Sequence, residues 1–150
     1  MKIDLRPAAP ADFEFCRRLY FAENAWIFDA LGLDRAAHEV RFPEQWKVSE
    51  VRIIVLDGAD IGWLQTAVQA DSFFLGQLYI IRSSQRQGVG TEIIRRVIAE
   101  AAQADLPLQL DVAKINPALR LYRRLGFRIT GEEEHKFNMT LGPAIRGCNS

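Results

Sequence analysis

The chain has 150 residues, 49% hydrophobic and 25% charged, with 19 Lys plus Arg balanced by 19 Asp plus Glu. A chain of this length buries about 68–70% of its unfolded surface, enough for one domain without a disulfide or metal staple, and its proportions are close to the usual globular averages. Zero formal net charge leaves no global field to mark a nucleic-acid or membrane-surface binder, so any polyanion must be held locally.

Ile3 and Leu5 alternate with polar neighbours before Pro7 and Pro10, which predicts a short first strand. Asp12 stands at a helix start, with Phe13, Cys16, Leu19 and Tyr20 at helical spacing behind it. A second helix is expected from about Asp34 to Phe42, ended by Pro43. The period then becomes that of strands: VRIIVLDG and ADIGWLQTAV form a hairpin about Asp57-Gly58, and SFFLGQLYII continues the sheet. The longest helix is predicted over Val89 to Gln103, with Val89, Ile93, Ile94, Val97, Ile98, Ala101 and Ala102 on its apolar face.

LPLQLDVA reads as a strand, and NPALRLYRRLG as a short helix opened at Pro117 and stopped at Gly126. FRITGEEEHKFNMTL reads as two strands about a turn at Gly131 to Glu133. The order β α α β β β α β α β β, without repeat or linker, predicts one α+β domain over 1–141, with a mixed sheet and a frayed tail over 142–150. The strand-helix-strand unit from 72 to 113 demands a right-handed parallel crossover.

Cys16 and Cys148 belong to no CxxC pair and read as thiols of a reducing compartment. His38 and His135 have no ligand-spaced partners, so no metal is expected. MKIDLRPAAP lacks a signal peptide's apolar core and no run of about 18 apolar residues occurs, so a soluble cytoplasmic protein without membrane or nucleic-acid partners is expected.

The stretch YIIRSSQRQGVGTEIIRRVI carries QxxGxG where a strand turns into the long helix. A dinucleotide turn would need a third glycine where Ile93 stands, and a Walker loop would need GK followed by Ser or Thr; both are excluded by spacing. Two readings remain. Gly88 and Gly90 relieve a tight turn, or they let a phosphate approach the free N–H groups and positive dipole end of the helix, with Arg86 adding charge.

Taken with INPALRLYRRLGF downstream, this stretch resembles the GNAT superfamily of acetyl-CoA-dependent N-acetyltransferases, in which (Q/R)xxGx(G/A) precedes an Asn, then Ala, then LYxxxGF segment. The motifs cover residues 78 to 127, and the element order matches from residue 3 to about 141. The resemblance implies the family's three-layer fold, with a mixed, mostly antiparallel sheet of about seven strands and helices on both faces. It implies that Leu78, Tyr79 and Ile80 hold the pantetheine arm through their backbone, and that Gln85, Arg86, Gln87, Gly88, Val89, Gly90 and Thr91 form the pyrophosphate turn. Asn116 would hydrogen-bond acetyl-CoA near the chemistry, and Tyr122 would protonate the departing sulfur. The chain departs from the family pattern at Arg82, where proline is common, in the six-residue spacing of Asn116 and Tyr122, and at Gln77, near which many members carry a glutamate.

The implied reaction is acetyl transfer from acetyl-CoA to a primary amine by direct attack in a ternary complex. An alkyl amine, with a pKa of about 10.4, must first lose a proton, and Asp111, with Glu133 as runner-up, is the candidate base. A backbone N–H near Ile80 would meet the developing oxyanion. Trp26, Phe28, Glu133 and His135, with His38 and Arg41, are candidate amine contacts. Two other readings stay open: a catalytically silent acyl-CoA-binding sensor, and an acetyltransferase of protein lysines or N-termini. The last strands could pair across a two-fold axis into a homodimer.

Overall fold

The computed structural model describes residues 1–142, so the expected tail, with Cys148, lies outside the described residues apart from Gly142. The elements are β1 (Ile3–Pro7), α1 (Phe13–Leu31), α2 (Arg35–Gln45), β2 (Val51–Leu56), β3 (Ala59–Val68), β4 (Phe73–Ile80), α3 (Val89–Gln103), β5 (Leu108–Ala113), α4 (Ala118–Arg124), β6 (Arg128–Glu132) and β7 (Lys136–Leu141). This is the predicted order, with short 3-10 turns added at Pro10–Asp12, Val48–Glu50 and Arg82–Ser84. The strands form a seven-stranded sheet ordered β1-β2-β3-β4-β5-β7-β6. β4 and β5 are parallel, and β1–β2, β2–β3, β5–β7 and β7–β6 are antiparallel, so the sheet is mixed.

Local chemistry explains most boundaries. Asp57 (φ 50°) and Gly58 (φ 88°) are both left-handed, the backbone a two-residue hairpin needs to match strand twist. Gly32 ends α1 in the left-handed conformation, and the Leu33 N–H returns to the Phe28 carbonyl at 2.9 Å. Asp34 caps α2 by accepting from the Ala36 N–H at 3.0 Å.

Three expectations are corrected. Pro43 does not end α2, which runs on to Gln45. Proline removes one N–H, but the Trp46 N–H still reaches the Phe42 carbonyl at 3.0 Å, and burial of Phe42 against Phe13, Phe21 and Trp63 holds the turn helical. The turn of the last hairpin lies at residues 133–135, because Gly131 and Glu132 remain in β6. Ala102 is exposed, one residue's rotation past buried Ala101 on α3.

The described residues divide into two compact units, residues 1–66 with 77–90, and residues 67–76 with 91–142. The core of the first is aromatic. Tyr20 meets Phe21 edge-on at 4.9 Å and Tyr79 edge-on at 5.6 Å, while Trp63 packs against Tyr79 at 5.4 Å. Buried Phe and Leu side chains of this kind contribute about 1.5–3 kcal/mol each. Arg6 on β1 fastens this unit at its edge, donating to both oxygens of Asp12 at 3.0 Å and to Asp60 on β3 at 2.9 Å. That guanidinium, joined by the Ala9 N–H, holds the Asp12 carboxyl below the ordinary carboxylate range against the opposing effect of burial. In the second unit, Ile93, Ile94, Val97 and Ala101 of α3, Leu108, Leu110 and Val112 of β5, and Phe127 and Met139 are buried.

Candidate functional site

The glycine-bearing turn and the strand leading into it belong to the first unit. β4 pairs with β5 from Phe73↔Leu108 to Leu75↔Leu110, and Leu78, Tyr79 and Ile80 lie beyond the last of these pairs. On the β3 side the backbone is tightly constrained, since a Cβ built on Gly62 would run into the Tyr79 carbonyl. The Tyr79 ring faces the aromatic core, and its hydroxyl donates to Gln77.

Gln85 is turned inward. Its Nε2 donates to the Ile80 carbonyl at 2.7 Å and to the Glu23 carboxylate on α1 at 2.7 Å. Arg86 follows with φ 63°, a left-handed conformation costing an L-residue about 1–2 kcal/mol, and its side chain is exposed. Gln87 is exposed and its side chain reaches back toward the Ser83 carbonyl at 3.4 Å.

The two glycines differ. Gly88 has φ 83°, which L side chains rarely adopt, so the turn alone accounts for it. Gly90 is already helical, in the first turn of α3 with buried Val89 before it and Thr91 after it. A Cβ at Gly90 would meet only Ile80 Cδ1 at 3.5 Å, an ordinary van der Waals contact. Alanine would fit there and favour the helix by about 1 kcal/mol. No internal packing therefore calls for glycine at 90. What a missing methyl leaves is clear access to the N–H groups that open a 15-residue helix.

The second unit carries the remaining candidates. Asn116 accepts from the Ala118 N–H at 2.9 Å through its side-chain oxygen, just ahead of α4, and its amide N–H groups have no partner among the described residues. Tyr122 on α4 is partly buried, with its ring edge-on to Phe127 at 5.7 Å. Burial pushes its hydroxyl up to about 12, and that hydroxyl has no hydrogen-bond partner among the described residues.

Asp111 on β5 stands directly opposite Asn138 on β7. The Asn138 amide donates to Asp111 at 2.7 Å and to Glu133 at 3.0 Å, while Lys136 donates to the other Asp111 oxygen at 3.2 Å. The two carboxylates named from sequence are thus brought together by one amide. Gly131 faces Asn138 from β6, where a Cβ would stand 2.5 Å from Asn138 Oδ1. His135 is exposed in the hairpin turn, with Glu134 at 3.6 Å. In the first unit Trp26 is 45% exposed, whereas Phe28 is 7% exposed and packs between Tyr20, Phe21 and His38, so Trp26 is the outward-facing aromatic of the two.

Glu23, Gly62, Lys136 and Asn138 were not singled out from sequence. An isolated glycine inside the β-rich run IGWL signals close backbone approach, and the alternation of Lys136 and Asn138 along β7 places them on one face. Glu23 has no local signal, being 62 residues from Gln85. Among the described residues no cluster of three or more His, Cys, Asp or Glu could hold a metal ion, and no helix is long and apolar enough to cross a membrane.

The family model for the acetyltransferase (GNAT) domain matches residues 49–129. No curated protein matches the sequence. Among solved structures, the chain is similar to a PaiA N-acetyltransferase from Thermoplasma acidophilum in complex with coenzyme A, at TM-score 0.75 and 16% identity over 95% of this chain and 99% of that one. It is also similar to Ard1 from Thermoplasma volcanium (TM-score 0.69, 16% identity, 94% and 97% coverage) and to an acetyltransferase from Thermus thermophilus (0.68, 20%, 93% and 96%). At these identities the likeness shows the fold.

Proposed function

Because the chain belongs to the GNAT acetyltransferase family, we propose that it transfers an acetyl group from acetyl-CoA to a primary amine of a small molecule or peptide. The observation that carries this reading is Gly90, a glycine that neither backbone conformation nor packing requires, at the start of a long helix close in sequence to exposed Arg86. An anion seated on those N–H groups explains it, and a diphosphate fits the chemistry of the donors. Gly88 to Thr91 would supply backbone N–H groups, Arg86 its charge, and the backbone of Leu78, Tyr79 and Ile80 the strand edge for the pantetheine arm.

Bound acetyl-CoA supplies the acetyl group as an activated thioester. Tyr122 keeps its proton across the neutral range because burial has pushed it up to about 12, so its hydroxyl is a standing donor toward a departing sulfur. Full proton transfer from such a phenol to a free thiolate, with a reference near about 8.5, is uphill, so donation matters as the sulfur itself becomes desolvated. The Ile80 region would offer a backbone N–H to the carbonyl oxygen. Asp111, with Glu133 beside it through Asn138, is the candidate acceptor of the amine's proton, and Lys136 on Asp111 competes with the incoming ammonium for that carboxylate. Trp26 and His135 are the exposed candidates for amine contacts.

Incubation with acetyl-CoA and a panel of small amines, N-terminal peptides and lysine peptides, with free thiol as the readout, tests the reading. Amine-dependent thiol release is expected. Coenzyme A binding without release would replace the enzyme by a binding module, and calorimetry with no heat on coenzyme A addition would remove the acyl-CoA reading altogether.

A further inference from the structure

We propose that Glu23, on α1, is a positioning residue for the coenzyme A turn, acting through Gln85; the inference rests on the acyl-CoA reading above. The Gln85 amide nitrogen has two hydrogens, and both are committed: one to the Ile80 carbonyl and one to Glu23 Oε1, each at 2.7 Å. Both partners are pure acceptors, so the orientation of the amide is fixed by chemistry, with its NH2 facing inward. The Ile80 carbonyl is the last of β4, and Gln85 is the residue before left-handed Arg86.

The bridge therefore ties the strand end that would hold the pantetheine arm to the turn that would hold the diphosphate. Its third anchor is a helix distant in sequence. Without Glu23, one Gln85 donor loses its charged partner, and the side chain is free to leave the Ile80 carbonyl. The turn from residue 85 then loses its brace just ahead of the N–H groups of Gly88 to Thr91, which must be presented in fixed geometry. Glu23 touches neither anion nor thioester in this scheme. As a carboxylate within the same unit it opposes a diphosphate electrostatically, so a net benefit to binding requires the geometric role to outweigh that repulsion.

The two effects predict opposite signs. Glu23→Ala should weaken coenzyme A binding by about tenfold, the usual effect of losing a charge-assisted hydrogen bond, and raise KM for acetyl-CoA with kcat within about twofold. Glu23→Gln, which keeps an acceptor and removes the charge, should bind as well as wild type or more tightly. Gln85→Leu should show the loss of Glu23→Ala, and the double variant should be no worse than Gln85→Leu alone. Calorimetry with coenzyme A on the four proteins and wild type, alongside thermal melts, reads all of this. Wild-type-like or tighter binding by Glu23→Ala, or additive losses in the double variant, would overturn the proposal while leaving the acyl-CoA reading intact. Absence of heat with wild type would overturn both.

Discussion

A methyl group at position 90 and one at position 88 ask different questions of the same turn. Gly90→Ala introduces a side chain that makes only an ordinary contact with Ile80 and should leave the free energy of unfolding unchanged or raise it by up to about 1 kcal/mol of helix propensity, read by thermal melts. If the N–H groups behind it hold a diphosphate, the same change should weaken coenzyme A binding severalfold, read by calorimetry. Gly88→Ala, at φ 83°, should cost about 1–2 kcal/mol in urea denaturation whether or not any ligand binds, so it cannot separate the readings. Tyr122→Phe should keep coenzyme A affinity and lower kcat by about 10²-fold. Since its hydroxyl is pushed up to about 12, the wild-type rate profile should show no falling limb from this group near pH 10. Asp111→Asn should lower kcat for amines with little change in coenzyme A affinity, and an unchanged rate would leave Asp111 a structural role through Lys136 and Asn138.

Strand β3 is pinned to the end of β4 by the absence of a side chain. Gly62→Ala sets a Cβ against the Tyr79 carbonyl, which is backbone and cannot swing away, so a stability loss of about 2–3 kcal/mol is expected in urea unfolding. Gly131→Ala meets only the Asn138 side chain, which can move; it should cost less stability but disturb the amide joining Asp111 and Glu133. Strong local signals make the element order legible in the sequence: Asp57-Gly58 for the hairpin, and the apolar period of Val89 to Gln103 for α3. Where long-range burial competes with a local rule, the local rule loses, as at Pro43, kept helical by buried Phe42. The last hairpin turns later than its glycine suggests because Gly131 serves a side-chain clearance in an extended strand. The turn's own residues are readable as a motif, but Glu23 is not, because nothing in sequence links it to Gln85.

Alkaline pH should weaken the folded state through its buried acids. Burial pushes the Cys16 thiol up to about 12 and the Tyr122 hydroxyl up to about 12, and it raises Tyr20 as well. Each group holds its proton longer folded than unfolded. Their contribution is therefore complete below about pH 8.5, where even the unfolded thiol is protonated, and is lost as pH rises toward about 12. Urea midpoints at pH 7, 9 and 10.5 should fall progressively, and Cys16→Ala should flatten the first part of that decline despite a lower starting stability. An equal slope in the variant would remove Cys16 as a cause. The division into units that each draw on two separated stretches of chain bears on synthesis at the ribosome. Tyr79 and Ile81 pack against an aromatic cluster otherwise built by residues before 67, so a nascent chain halted at Thr66 has most of that cluster but lacks two of the side chains that cover it. Until the segment through Gly90 has emerged, the growing polypeptide exposes an oily surface of the kind that folding helpers capture.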